Sequence, residues 1–206
     1  MKNNLDYIRD LSEIRSMMER SSKFMSLSGW VGILAGTYAL IGAWIAYKVL
    51  YFNPATISDD AFLTGNSGLP HLMGLALIIL ILATGTAIFF SYKRSVHRGE
   101  KPWNLTAKRL LINMAVPLVT GGLLILMLIS KGLFGLLAPF SLLFYGLALY
   151  NAGNFTFREV KILGLVQLGL GLISSWFIGY GLLLWAVGFG LAHIVYGIYM
   201  HFRYER

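Results

Sequence analysis

Apolar residues in this 206-residue chain come in long blocks separated by short polar connections. Six blocks stand out, at about 27–52, 69–90, 110–129, 133–150, 160–178 and 182–202. Each approaches or exceeds the roughly 20 residues that a helix needs to cross a hydrocarbon core about 30 Å thick. A bilayer interior offers no water to backbone amides, so such a block satisfies its N–H and C=O groups within itself, as an α-helix. The pattern predicts an all-α polytopic membrane protein, with residues 26–206 forming six transmembrane helices arranged as three hairpins.

The residues before the first block follow a different rhythm. Over 4–25, at 100° per residue, Tyr7, Leu11, Ile14 and Met18 fall on one side, while Asp6, Arg9, Glu13, Glu19, Arg20 and Lys23 fall on the other. Residues 1–25 therefore read as an amphipathic helix outside the membrane. Its apolar stripe is a candidate docking face for a cytoplasmic protein partner; the alternative is that it packs beneath the protein's own loops.

Charge fixes the expected orientation. The stretch 91–109 carries Lys93, Arg94, Arg98, Lys101, Lys108 and Arg109 against the single acid Glu100. An excess of Lys and Arg beside membrane spans marks the cytoplasmic side. Counting crossings from there puts both termini in the cytoplasm and the loop holding Asp59 and Asp60 outside. Every Lys and Arg except Lys48 and Lys131 then faces the cytoplasm.

Composition agrees with a membrane domain: 57% of residues are hydrophobic and 13% charged, against about a quarter charged in an average soluble domain. A formal net charge of +8 would suggest nucleic acid in a soluble protein. Here the bases flank apolar spans, where they set orientation and meet lipid head groups, so the expected partner is the bilayer and not nucleic acid.

Candidate chemistry is sparse. Cysteine is absent, which removes disulfides, thiolate metal sites and a Cys nucleophile. None of the six apolar blocks contains Asp or Glu, which disfavours ion-coupled pumping through intramembrane carboxylates. The four histidines, His71, His97, His193 and His201, fall at different depths, so no pair suits axial haem ligation. No cofactor, metal or catalytic group is expected.

A set of neutral polar residues remains, forming a candidate polar pocket: Asn113, Thr120, Tyr145, Gln167, His193 and Tyr196. Asn113 and Thr120 share one face of the third block with Pro117, which frees the carbonyl of Asn113; Pro139 is expected to do the same to Gly135. Gln167 and His193 each lie thirteen residues from Tyr180 in the turn between the last two blocks, hence at one depth. A neutral imidazole paired with the Gln167 amide or a neighbouring hydroxyl is expected. The set reads either as an inward-opening pocket or as hydrogen bonding that locks the helices together. Small residues such as Gly32 with Gly36, and Gly171 with Ser175 and Gly179, allow close helix approach, within one chain in preference to a homo-oligomer.

An enzyme reading ranks last. Ala192-His193 followed by Gly197 resembles the histidine helix of rhomboid intramembrane proteases. That family sets its nucleophile in a Gly-x-Ser-Gly turn, whereas Ser141 sits in Ala138-Pro139-Phe140-Ser141-Leu142 with no glycine to open an oxyanion site.

A broader resemblance rests on Glu13-Ile14-Arg15-Ser16-Met17-Met18-Glu19-Arg20-Ser21-Ser22-Lys23-Phe24, followed by Ser26-Leu27-Ser28-Gly29 and a Gly- and Ala-rich first block. This resembles a set of small bacterial inner-membrane proteins of unknown function and implies a bacterial cytoplasmic membrane location. The expectation is a membrane sensor, regulator or complex subunit of unknown activity, with a transporter or channel for a small uncharged solute second.

Overall fold

The computed structural model describes residues 28–50, 69–97 and 105–205. The amphipathic segment with Tyr7, Leu11, Ile14 and Met18 lies outside these, as does the loop with Asp59 and Asp60. Every regular element among the described residues is helical. Helix α1 is Gly29–Lys48, α2 Leu69–His97, α3 Leu105–Ser130, α4 Leu137–Ala152 and α5 Arg158–Trp176. The last span is composite: α6, Gly181–Trp185, runs into a π-helical segment, Ala186–Ala192, and then into α7, His193–Tyr204. Six helices are long and apolar enough to cross a membrane.

Local chemistry accounts for the joints. The chain reverses between α3 and the 3-10 turn Phe134–Leu136 at Gly132, whose φ of 71° is a left-handed conformation that a Cβ would penalise. Pro117 lies inside α3. Pro139 is the third residue of α4, which continues directly from the 3-10 turn Phe134–Leu136.

The helices do not pack in chain order. α1 lies between α2 and the sixth span, and α4 lies between α3 and α5. The upper sixth span, α6 and the π-helical segment, touches α4 and α5 and joins the two groups. The first and last spans are thus direct neighbours. α2 and α3 stand at the edges, with Ile81, Ile88, Val116 and Leu123 exposed, a surface suited to hydrocarbon.

Glycines set the spacing of the central contact. A Cβ on Gly32 would come within 2.9 Å of the His193 carbonyl oxygen, and one on Gly36 within 2.6 Å of the Gly190 carbonyl oxygen. On the other side, a Cβ on Gly197 would lie 2.5 Å from the Gly29 carbonyl oxygen. Backbone approaches backbone here, with Ile33, Leu40 and Ile194 packed beside the contact, gaining close van der Waals packing. The stripe begun by Gly32 and Gly36 is used within the chain.

Candidate functional site

A buried polar core forms where α4, α5 and the sixth span meet. Gln167 is fully buried (0%) and His193 nearly so (6%). The Gln167 side-chain amide donates from Nε2 to the Gly188 carbonyl at 2.8 Å. His193 Nδ1 lies 2.9 Å from the same oxygen. A carbonyl only accepts, so Nδ1 carries the hydrogen, and in the neutral ring Nε2 is left as an acceptor. The Tyr145 hydroxyl, 3.0 Å from Nε2, supplies the matching donor. Gln167 Nε2 also lies 3.4 Å from Nδ1, but two nitrogens that both carry hydrogens do not bond.

The π-helical segment Ala186–Ala192 contains Gly188, whose carbonyl receives both side-chain donors. Such widened turns recur at functional sites. A Cβ at this point would meet Gln167 Oε1 at 2.5 Å and Leu142 Cδ2 at 2.6 Å, so a larger residue would displace both side-chain ends. Aromatic rings close the other side. Phe189 lies parallel to the imidazole, with centroids 5.9 Å apart and an interplanar angle of 3°. Tyr145 is 4.8 Å and Trp185 5.0 Å from the Phe189 centroid.

Satisfaction is incomplete. Gln167 Oε1, Ser174 Oγ and the Tyr196 hydroxyl are buried with no hydrogen-bond partner among the described residues. Tyr145, Gln167 and His193 are thus brought together, and Tyr196 packs with Tyr145 against the apolar cluster around Leu149, Leu163 and Met200. Asn113 and Thr120 do not join them. Asn113 donates its amide back to Arg109 O on its own helix at 2.8 Å, and Thr120 is exposed. Ser141 donates to Ala138 O at 2.8 Å, so its hydroxyl serves its own helix and leaves His193 to Tyr145.

A second polar assembly, absent from the sequence expectations, gathers helix ends around Glu205. Its Oε1 accepts the Gly29 backbone N–H at 2.8 Å and is paired with Arg94 at the end of α2. Its Oε2 lies 2.7 Å from His201 Nδ1. Arg94 also donates to Tyr204 O at 3.3 Å. The Tyr204 hydroxyl donates to Glu159 at the start of α5, at 3.0 Å. Burial pushes the Glu205 carboxyl up, but hydrogen bonds from His201, Gly29 and Ser28 and the charge of Arg94 outweigh it, and the group sits below its ordinary value. The sequence signal was slight: one acid in a short polar tail, opposite the start of the first span.

No protein-family model matches the chain, and no curated protein or solved structure is similar to it at a significant level.

Proposed function

We propose that this chain is a non-enzymatic multi-pass protein of the bacterial cytoplasmic membrane, acting as a sensor, regulator or complex subunit. Both termini lie in the cytoplasm, and residues 1–25 dock a partner. The reading is carried by one observation: the sixth span holds His193 in the polar core and ends, twelve residues on (205 − 193), in the carboxylate that ties together the ends of α1 and α2. At about 1.5 Å per residue the two points are roughly 18 Å apart on one helix. A helix of this length carries a displacement at one end to the other, which suits reporting a change in the core to the side where the termini lie.

The enzyme reading is less favoured, since the hydroxyl beside His193 belongs to Tyr145 and the Ser141 hydroxyl is bonded to Ala138 O on its own helix. Passage of an uncharged solute is also less favoured, because Gln167 is fully buried and it and His193 are bonded to Gly188 O and Tyr145.

The test uses the absence of native cysteine. Val96→Cys places a thiol on the exposed face of α2, two residues from Arg94. His193→Gln should change its labelling rate from the cytoplasmic side several-fold. An unchanged rate in a folded variant would separate core from junction and defeat the proposal.

A further inference from the structure

We propose that the ligand of the polar core is a proton, taken up by His193 Nε2 and held between Tyr145 and the Gly188 carbonyl. The inference rests on the sensor reading for its purpose but on the core's own geometry for its chemistry.

Enclosure points to the class of ligand. Gln167 is fully buried and His193 nearly so, and the Gln167 amide nitrogen and both imidazole nitrogens are bonded to Gly188 O and Tyr145. A proton needs no cavity. The same geometry partners the ring in both states. In the neutral ring Nδ1–H donates to Gly188 O, and Nε2 accepts from Tyr145. In the imidazolium both nitrogens donate, to Gly188 O and to the Tyr145 oxygen, with the Tyr145 hydrogen turned away. The Phe189 ring lies parallel to the imidazole with centroids 5.9 Å apart. Gln167 Oε1, a buried acceptor without a donor, adds a negative dipole end nearby.

The groups around His193 are neutral, so the imidazolium is held by dipoles and hydrogen bonds without a counter-charge. α4 contributes Tyr145 and α5 contributes the neutral Gln167. α1 approaches through Gly32 at the His193 carbonyl, and α7 itself adds Tyr196. Asp, Glu, Lys and Arg are missing from these helices at this depth.

On protonation Nε2 gains one hydrogen, and the Tyr145 hydroxyl changes from donor to acceptor without leaving its 3.0 Å contact. Tyr145 stays neutral, and the net change is one proton, taken from water, added to the imidazole.

The experiment is NMR of the full-length protein in lipid nanodiscs with ¹⁵N-labelled histidine, titrated from about pH 8 to about pH 4. His193→Gln identifies the His193 resonances among the four histidines. The expected result is reversible conversion of both ring nitrogens to imidazolium shifts with helicity unchanged. Tyr145→Phe, which removes the oxygen facing Nε2, should lower the midpoint by about one pH unit.

A ring that stays neutral until helicity is lost would overturn the proposal. An unchanged midpoint in Tyr145→Phe would overturn the holding geometry. If His193 titrates while labelling of Val96→Cys ignores both pH and His193→Gln, proton binding stands and the sensor reading fails. If labelling responds to His193→Gln but the imidazole never protonates, the reverse holds.

Discussion

Glu205 accepts the backbone N–H of Gly29 at 2.8 Å across 176 residues of chain. The first N–H groups of a helix lack intrahelical partners and carry the positive end of its dipole, so a carboxylate is well placed there. Ser28, the N-cap of α1, makes no side-chain cap bond to the helix. The cap comes instead from the far end of the protein, which makes closure of the first span conditional on the last.

That carboxylate should make stability depend on pH. Its folded-state value is depressed below the ordinary 4.5, so its contribution is complete above that value and is lost as pH falls through the folded-state value. Glu205→Gln should start from a lower melting temperature at neutral pH and lose less on acidification than the parent protein. Parallel acid limbs in thermal unfolding of the two proteins would contradict this.

The glycine contact between the first and last spans should be intolerant of side chains. Gly197→Leu forces a branched chain into the Gly29 carbonyl and Ile33, and should cost about 1–3 kcal/mol or more as overpacking. Gly85→Leu meets nothing within 4 Å and should be neutral within about 0.5 kcal/mol. Thermal melts in a single detergent compare the two, and equal losses would remove the contact from the account.

His193→Leu should destabilise the bundle by about 0.6–2 kcal/mol, the range for interhelical hydrogen bonds in membranes. Tyr145→Phe should lose part of the same energy, and the double variant should cost less than the sum of the two. Strict additivity in this double-mutant cycle would mean that the Tyr145–His193 hydrogen bond is worth nothing to the fold.

Orientation is testable on described, exposed turns. Lys131→Cys, beside Gly132, should react with a membrane-impermeant thiol reagent in intact cells. Asn154→Cys, at the turn where Lys161 bonds Asn154 at 3.2 Å, should react only after permeabilisation. The opposite pattern would invert the proposed topology.

The spans were legible because continuous apolar length is a direct physical requirement of a bilayer. Depth was legible as well: equal counts from Tyr180 put Gln167 and His193 at one level, and the structure has them 3.4 Å apart. Which way a helix faces was not. In a helix that is apolar all round, periodicity does not mark the inner side, so Asn113 and Thr120 could be placed on one face of α3 with no indication that Thr120 is exposed. The π-helical segment leaves no compositional mark, and without it Gly188 does not emerge as the shared acceptor of Gln167 and His193. Glu205 was hidden for another reason. Its partners Gly29 and Arg94 come from opposite ends of other spans, and nothing local links them.

The pairing of first and last spans also sets a schedule for biogenesis. At about 5–20 residues per second, the 176 residues from Gly29 to Glu205 take on the order of 10–35 s to synthesise. Throughout that interval the backbone stripe of α1 has no permanent neighbour and must be covered by lipid or by the insertion machinery. Chains halted before Gly190 and Gly197 would carry an inserted but unsealed first helix, so membrane quality control acting on open glycine faces would sort finished molecules from unfinished ones by a surface that only completion hides.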